Sequence, residues 1–293
     1  MSLNFSGHWT PPVEALGIGV FDGMHRGHQK IADLSTLLMT FYPHPDLVLN
    51  KKANVQWLST AEELHALMSP LVTLRFTQEV AQYSAEDFLQ KGILEKFAPK
   101  RLVVGYDFIF GHNKSGNVSM LKSWASERNI EVVVVPPVTH QGEVVRSSQI
   151  RRYFEAGEFN RAVDQLGHPY LIMGQVVHGE GRGHHLGFPT ANLQLQAHKL
   201  LPAVGVYRAM VERDAQYYPA MAYIGRKPTF EGPHLLACEV HLIHQNRDLY
   251  HARLKLWLQE KIREEIKFES KEALIAQLQK DQNYCWENRH DFR

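Results

Sequence analysis

The fold of the first half of the chain is decided by residues 16–31, which read LGIGVFDGMHRGHQKI. A short apolar run leads into a polar, glycine-rich loop, and a helical pattern starts at about His28. This order predicts a buried strand, a loop and a returning helix. The N-terminus of such a helix favours a phosphate group, because it carries partial positive charge and N–H donors. His25 and His28 stand there and could direct hydrogen bonds to a phosphorus centre, although alone they could also be surface histidines in a glycine turn.

Strands and helices alternate along the rest of the first half. Apolar and β-branched runs predict strands at 37–41, 71–76, 101–105 and 132–135. Three- and four-residue apolar spacing predicts helices at 60–68, 84–97 and 117–129. The alternation is typical of a parallel sheet covered on both faces. Ligands of such sheets bind beyond the carboxyl ends of the strands, so we expect chemistry in the loops after Val20, Phe41 and Gly105.

The second half has closely spaced strand candidates separated by turn residues. The predicted strands lie at 170–178, 188–195, 205–213, 219–224, 236–243 and 252–258. This spacing is typical of an antiparallel barrel or sandwich. A long amphipathic helix is expected after Ser270. Gly167-His168-Pro169 is the predicted boundary, which gives domains 1–167 and 168–293, with two helices at 147–166 closing the first domain.

Composition excludes several classes of protein. The 293 residues include 32 Lys and Arg and 31 Asp and Glu, a formal charge of +1, so nucleic-acid binding is not expected. No apolar run approaches the roughly 18 residues of a membrane helix. The N-terminus lacks a signal-like segment, and only Cys238 and Cys285 could pair, so we expect a cytoplasmic protein.

Two sets of motifs, in order along nearly the whole chain, resemble one enzyme family. The first set is GxFDGxHxGHQ at 19–29, TFxPHP at 40–45, GxDFxFG at 105–111 and SSxIR at 147–151. The second set is GFPTAN at 187–192, GVY at 205–207, IGxxPTF at 224–230 and EVHL at 239–242. The chain thereby resembles the prokaryotic bifunctional riboflavin kinase/FAD synthetases. The resemblance implies a Rossmann-like α/β FMN adenylyltransferase domain, followed by a flavokinase-like β-barrel with a C-terminal helix.

The resemblance implies roles for residues of the first domain. His25 and His28 would hold the ATP phosphates while the FMN phosphate attacks the α-phosphorus. The remaining candidates for ATP binding are Gly19, Phe21, Asp22, Gly23, Ser147, Ser148 and Arg151. Two hydroxyls and a guanidinium can clamp phosphates, although Arg151 could also belong to a solvated basic face. Phe108 and Phe110 could line the flavin pocket or pack in the core, and Val20, Ile109 and His112 depart from the family pattern.

A glycine-rich stretch and two polar strand positions carry the second site. Gly179, Gly181, Arg182 and Gly183 could bring backbone N–H groups and charge to a polyphosphate, unless they form a mobile hairpin loop. Thr190 and Asn192 alternate along a predicted strand, and their oxygens suit Mg²⁺. The family uses the matching pair in that way. By resemblance, Glu239 is the base that deprotonates the ribityl hydroxyl of riboflavin; otherwise it is a solvent-facing strand residue.

Two connections in the first domain look short. Residues 29–36 leave less than the roughly 10–12 residues of a helical crossover, and the approach to residue 71 at Ser69-Pro70 looks similarly cut. Either the crossovers are truly shortened or flexible residues are missing, and we favour missing residues. In that case the Cα separation near Ser35–Thr36 or Ser69–Leu71 would exceed the roughly 3.8 Å of bonded neighbours.

The sequence therefore predicts an enzyme that phosphorylates riboflavin to FMN and adenylates FMN to FAD. ATP is the co-substrate of both steps, Mg²⁺ the cofactor, and FMN and FAD the products. The expected partners are small molecules, with no membrane and no nucleic acid, and the expected state is a monomer or weak homo-oligomer. The alternatives are a riboflavin kinase with an impaired N-terminal domain, and a non-catalytic flavin-binding regulatory protein that could contact nucleic acid through Arg146, Arg151 and Arg152.

Overall fold

The chain divides into two compact units in a computed structural model. One unit comprises Met1–Gln56 and Leu64–Ser147, and the other comprises Trp57–Glu63 and Ser148–Arg293. The structure describes residues 3–49, 56–179, 183, 186–226, 236–245 and 249–290. Each unit has its own sheet and is described by itself.

The first unit is built on a six-stranded sheet in the order β1-β4-β3-β2-β5-β8. The central pairs are parallel, whereas β1 lies antiparallel against β4 at one edge. Its strands are β1 Phe5–Ser6, β2 Ala15–Ile18, β3 Leu37–Tyr42, β4 Leu71–Arg75, β5 Arg101–Gly105 and β8 Glu131–Val135; two small hairpins contain β6 Ile109–Phe110 with β7 Gly116–Asn117, and β9 Thr139–His140 with β10 Glu143–Val144. The predicted parallel α/β sheet is confirmed, and the antiparallel edge strand was not predicted.

The helices of this part of the chain connect the strands and cover the sheet. They are α1 Arg26–Asp33, α2 Pro45–Val48, α3 Ala61–Leu67, α4 Gln78–Ala81, α5 Ala85–Asp87, α6 Glu95–Phe97 and α7 Val118–Ser126. A π-helical stretch, Phe88–Leu94, joins α5 to α6, and a short 3-10 turn spans His112–Lys114. The sheet core includes Leu16, Met39, Val72, Leu102 and Val104, each with no more than 1% of its surface exposed.

The first crossover is longer than the sequence-based estimate, because that estimate counted only from Gln29. Helix α1 begins at Arg26, so residues 19–36 are available between β2 and β3. The N–H groups of Leu34 and Ser35 bond to Ile31 and Ala32, and Thr36 N–H bonds to the Ala15 carbonyl at 2.8 Å. In the second connection, α3 ends at Leu67 and β4 starts at Leu71.

The second unit is built on a closed antiparallel barrel in the order β11-β12-β15-β14-β13-β16, with β16 pairing back to β11. The predicted barrel is confirmed. Its strands are β11 Tyr170–Val177, β12 Ala191–Leu195, β13 Gly205–Arg213, β14 Gln216–Arg226, β15 Leu236–Leu242 and β16 Arg253–Arg263. The β13–β14 hairpin turns at Asp214 and Ala215, both in the left-handed region that suits a two-residue hairpin turn.

Within the described residues, the helices that accompany the barrel are α8 Ser147–Glu155, α9 Phe159–Leu166 and α10 Lys271–Glu287. The rings of Phe154 and Tyr170 lie 4.5 Å apart, and those of Phe159 and Tyr207 lie 4.9 Å apart. Helices α8 and α9 thus pack with the barrel, which differs from the expectation that they close the first domain. Gly167, in the left-handed conformation, ends α9.

The C-terminal helix α10 packs on the outside of the barrel. Leu278 and Cys285 join a cluster with Met221 and Tyr223 of β14. The Arg263 guanidinium donates to the buried Asp281 carboxylate at 2.8 Å. Since side chains alternate along a strand, the positions that share a face with Met221 and Tyr223 lie on the outer surface of the barrel.

The segment Trp57–Glu63 is an integral part of the barrel unit. Trp57 forms an isolated parallel bridge with Lys199. Lys199 Nζ donates to Glu63 Oε2 at 2.8 Å, and this ion pair is completely buried. The same ammonium donates to the carbonyls of Leu58 and Leu171 at 2.7 and 2.6 Å. This segment was predicted only as the start of a helix of the first domain.

Candidate active sites

The first site is the loop between β2 and α1. Strands β3 and β4 follow on one side of β2, whereas β5 and β8 lie on the other, so this loop opens where the strand order reverses. Ligands of open parallel sheets bind at such a reversal. His25 is the N-cap of α1, and its Nδ1 accepts from the His28 N–H at 3.4 Å. The two imidazole rings are stacked with centroids 3.6 Å apart.

The loop is held by side chains that bind its carbonyl oxygens. Its backbone includes three left-handed residues, Phe21, Gly23 and Met24, which turn it sharply. The donors to its carbonyls come from three places in the first unit: Thr40 Oγ1 to Val20 at 2.9 Å, Ser147 Oγ to Asp22 at 2.9 Å and Gln29 Nε2 to Met24 at 2.8 Å. These bonds fix the path of the backbone before any substrate binds, which is the condition for preorganised electrostatic stabilisation.

His28 carries a buried polar atom that fits an anionic ligand. Its Nδ1 is buried and has no hydrogen-bond partner in the described part of the chain. Burial, and next the neighbouring His25, hold the pKa of His28 well below its usual value of 6.5, so the ring is neutral near pH 7. A neutral ring can hold a phosphate as a hydrogen-bond donor, and a bound polyphosphate would raise its pKa.

Two other candidates in this loop, Phe21 and Asp22, are buried. Phe21 is 1% exposed, and its ring lies 2.8 Å from where a Cβ on Gly19 would stand. Its side chain therefore packs against the loop, and only its backbone can face a nucleotide.

The Phe108–Phe110 pair belongs largely to the core. The two rings stack at 5.2 Å, and Phe110 packs further against Phe88 at 5.9 Å. Phe110 is buried, whereas Phe108 is partly buried and Ile109 between them is exposed. His112 has a structural contact, since its Nδ1 lies 3.2 Å from the Ala81 carbonyl. Of the two phenylalanines, only Phe108 keeps a surface for a flavin.

The SSxIR motif crosses from one unit to the other. Ser147 belongs to the first unit, where it bonds to Asp22, whereas Ser148 and Arg151 belong to the second. In that unit the Arg151 guanidinium lies 5.9 Å from the centre of the Trp57 ring. Sequence reasoning missed Thr40 as an anchor of the first loop, although it lies in the TFxPHP motif.

The second site lies at the start of β12. Thr190 Oγ1 donates to Glu239 Oε2 at 3.1 Å, and Asn192 stands directly opposite Glu239 in the β12–β15 ladder. Glu239 also pairs with Tyr223, which contacts α10, so the carboxylate lies on the outer face of the barrel and is half-buried. Its neighbour Cys238 points the other way, is buried, and has its pKa raised by that burial to about 12.

Two glycines bring backbone close to the polar side chains of this site. A Cβ on Gly179 would lie 2.0 Å from the Asn192 amide nitrogen, and one on Gly183 would lie 3.2 Å from Thr190 Oγ1. Only glycine permits this approach at residue 179. Gly181 and Arg182, the other candidates of the stretch, lie outside the described residues.

The donor set fits a magnesium ion bound together with nucleotide phosphates. Thr190 and Asn192 offer a hydroxyl and an amide oxygen, the hard ligands that Mg²⁺ takes alongside phosphate. Strand β12 begins at Ala191, so Thr190 precedes the strand, yet both side chains reach the surroundings of Glu239. No group of three or more acidic, histidine or cysteine residues suitable for a metal occurs within the described ranges.

Comparisons with known proteins match two family models to this chain. The model described as FAD synthetase matches residues 9–149, and the model described as riboflavin kinase matches residues 166–287. Bifunctional riboflavin kinase/FMN adenylyltransferases are similar over most of their length. The Listeria monocytogenes protein is 32% identical over 290 residues, covering 94% of this chain and 92% of the relative. The Bacillus subtilis protein is 32% identical (91% and 89% covered) and that of Escherichia coli K12 is 31% identical (91% and 90% covered).

One solved structure is similar in fold over almost the whole chain. A Streptococcus pneumoniae protein described as a macrolide-efflux protein gives a TM-score of 0.82 at 30% identity, covering 94% of this chain and 95% of its own. None of the helices in the described part of this chain is long and apolar enough to cross a membrane.

Proposed function

The chain belongs to the family of bifunctional riboflavin kinase/FMN adenylyltransferases, and from that premise we propose how its residues divide the two reactions. The enzyme phosphorylates riboflavin with ATP to give FMN, and it transfers the adenylyl group of ATP to FMN to give FAD and pyrophosphate. We propose Gly167-His168-Pro169, at the start of the riboflavin kinase match, as the boundary of the two modules along the sequence.

For the kinase reaction we assign Glu239 as the general base. The terminal ribityl hydroxyl loses its proton to the Glu239 carboxylate as its oxygen attacks the γ-phosphorus, and ADP leaves. The observation that carries this assignment is the 3.1 Å hydrogen bond from Thr190 to Glu239, with Asn192 opposite the same carboxylate. It brings the base and both candidate magnesium ligands to one spot, which phosphoryl transfer requires.

Thr190 and Asn192 would hold Mg²⁺, which neutralises charge on the ATP phosphates when bound. Gly179 and Gly183, together with Gly181 and Arg182, would receive the phosphates. The close approach of Gly179 to Asn192 supports this assignment, because it leaves backbone, and no side chain, against the metal ligand.

For the adenylyltransferase reaction we assign His25 and His28 to the ATP phosphates. The FMN phosphate is already ionised, so the site needs no strong base and mainly stabilises charge at the α-phosphorus and on the leaving pyrophosphate. The stacked rings at the N-terminus of α1 and the backbone of Gly19, Phe21, Asp22 and Gly23 would supply that stabilisation. Ser147, Ser148 and Arg151 are retained as the second phosphate element, and Phe108, with Phe110 behind it, as a flavin contact.

The alternatives to a bifunctional enzyme lose their basis. Against the kinase-only alternative, the FAD synthetase model matches residues 9–149, and a relative described as bifunctional covers 94% of this chain. We do not extend the efflux role named for the Streptococcus protein to this chain, because both family models and both residue constellations serve nucleotide chemistry. We place the enzyme in the cytoplasm, where ATP is available and where its two buried free cysteines stay reduced.

The test follows FMN and FAD separately in a mixture of riboflavin, ATP and Mg²⁺. Glu239→Gln keeps the shape of the side chain but removes the proton acceptor, so FMN formation should fall by about 10²- to 10⁴-fold, or about 3–5 kcal/mol of barrier. Riboflavin binding, followed by fluorescence quenching, and FAD formation from supplied FMN should persist. A variant that still phosphorylates riboflavin within about threefold of the parent would remove Glu239 from catalysis.

A further inference from the structure

His241 lies beside the proposed kinase site and contacts the Pro189 carbonyl, and neither residue has a role in the assignment above. His241 follows Glu239 by two residues on β15, so both side chains lie on the same face of the strand. The His241 side chain is 5% exposed, although it is polar and lies on the outer face of the barrel. Its ring meets Phe188 edge to face at 5.6 Å.

The contact between His241 and Pro189 lies just beyond the end of the β12–β15 ladder. The last registered pair is Ala191 with Val240, so the next position would set Thr190 opposite His241. One residue further, Pro189 has no N–H with which to continue the ladder. There His241 Nδ1 lies 2.8 Å from the Pro189 carbonyl oxygen. A carbonyl can only accept, so Nδ1 carries the proton and donates to the Pro189 carbonyl just beyond the end of the ladder.

The other ring nitrogen of His241, Nε2, does not explain why an imidazole occupies this position. Nε2 of His241 is buried, without a hydrogen-bond partner in the part of the chain that the structure describes. Burial lowers the pKa of His241, which keeps the ring neutral and Nε2 an unprotonated acceptor. A buried, unsatisfied acceptor is unfavourable, and an apolar side chain would pack there without that penalty. The Nδ1 contact therefore accounts for an imidazole at this position.

We propose that His241 is a positioning residue of the kinase site: by holding the Pro189 carbonyl it fixes the backbone of Thr190 beside Glu239. Thr190 is then held between the His241 contact on one side and the ladder at Ala191 on the other. Its hydroxyl is thereby kept 3.1 Å from the Glu239 carboxylate. The proposal rests on the assignment of Thr190 and Glu239 to the kinase reaction.

The experiment compares His241→Asn, His241→Gln and His241→Leu in the full chain. Asn carries its amide nitrogen at the position of Nδ1 and can still donate to Pro189, whereas Gln carries it at the position of Nε2 and Leu has none. We expect His241→Leu and His241→Gln to lower kcat for FMN formation about 10- to 100-fold and to raise the Mg²⁺ concentration for half-maximal rate. His241→Asn should recover most of both, and KM for riboflavin should stay within about threefold in all variants.

Matched controls separate the possible failures. His168→Leu removes another imidazole whose Nδ1 lies 2.8 Å from a proline carbonyl, that of Pro169, and should leave FMN formation unchanged. Riboflavin binding by fluorescence quenching and the urea unfolding transition check that the barrel of each variant folds. Three results would each overturn the proposal. They are an equal loss of kcat in the Asn and Gln variants, an effect confined to KM for riboflavin, and a rate of FMN formation by His241→Leu within about threefold of the parent. Thr190→Ala and Glu239→Gln are measured alongside: if both stay active, the proposed kinase site itself is wrong, whereas activity of His241→Leu alone refutes only the role of His241.

Discussion

His28, which we propose as a phosphate ligand of the adenylyltransferase site, has a partly buried ring. It stacks on His25 at 3.6 Å and meets the Phe21 ring edge to face at 5.4 Å, so its orientation is set by packing before substrates arrive. We expect His28→Ala to lower FAD formation from FMN by about 10²- to 10³-fold, the usual cost of losing one preorganised donor to a developing charge. The measurement is the initial rate of FAD formation with saturating FMN and ATP.

Two controls accompany this variant: its own rate of FMN formation, and the activities of a second histidine variant. FMN formation from riboflavin should be nearly unchanged in His28→Ala, because Glu239 and Thr190 belong to the other unit. His8→Ala, which removes an exposed histidine of the same unit, should leave both activities unchanged. Loss of both activities in a folded His28→Ala protein would contradict the independence of the two sites.

Single residues show where sequence reasoning reaches its limit. Motifs indicated His25, His28, Thr190, Asn192 and Glu239 as candidates, because the chemistry of phosphate, metal and base restricts those residue types. They gave no role to Thr40 or His241, since each makes its hydrogen bond to the carbonyl of a residue distant in sequence, Val20 and Pro189 respectively. The sequence also could not decide the role of Phe110, because an aromatic loop residue suits both a ligand pocket and a core.

The polar side chain of Asn192 on β12 depends on the backbone that follows β11. Gly179 lies so close to Asn192 that a Cβ would stand 2.0 Å from its amide nitrogen and 2.6 Å from its Cγ. Asn192 is itself buried, so it has little room to move away. We expect Gly179→Ala to displace the Asn192 amide and to lower FMN formation at least about tenfold, with a raised Mg²⁺ requirement.

A double-mutant cycle tests whether Gly179→Ala acts through Asn192. If the added methyl group acts through Asn192, Gly179→Ala should cost little more once Asn192→Ala has been introduced. FAD formation from FMN should be unaffected in all three variants. Fully additive losses in the cycle would show that Gly179 acts elsewhere, for example directly on the phosphates.

Local sequence periodicity predicted most helices and strands, but it missed a strand that forms only by pairing with another strand and could not distinguish a π-helix from an α-helix. The four predicted strands at 37–41, 71–76, 101–105 and 132–135 are all present within one or two residues at each end, because parallel strands buried on both faces are continuous apolar runs. The strand β1 covers two residues and exists only by pairing with β4, so its own sequence carries no signal. The helix predicted at 84–97 contains the π-helical stretch, which three- and four-residue spacing cannot distinguish from an α-helix.

The two family matches and the two compact units divide the chain differently. Trp57–Glu63 lies within the residues matched by the FAD synthetase model, yet it belongs to the unit that contains the barrel. Glu63 accepts from the Met173 N–H at 2.8 Å and from the Thr60 N–H at 2.8 Å, in addition to Lys199. The barrel is therefore completed by a segment far upstream of its first strand, and no local sequence pattern could have indicated this.

We expect Lys199→Met to destabilise the barrel unit selectively, by about 3–5 kcal/mol, because it leaves the buried Glu63 carboxylate without its counterion. FMN formation should then be lost at a lower temperature than in the parent, whereas FAD formation from supplied FMN should keep its thermal profile. Lys100→Met is the matched control: its ion pair with Glu14 has the similar length of 2.7 Å, but both side chains are 63% exposed, so about 1 kcal/mol or less is expected. Urea unfolding gives the free energies, and the two activities after heating report the units separately. Equal thermal loss of both activities would mean that the ion pair stabilises the chain as a whole, and an unchanged profile for both would show that the buried pair contributes nothing to the barrel.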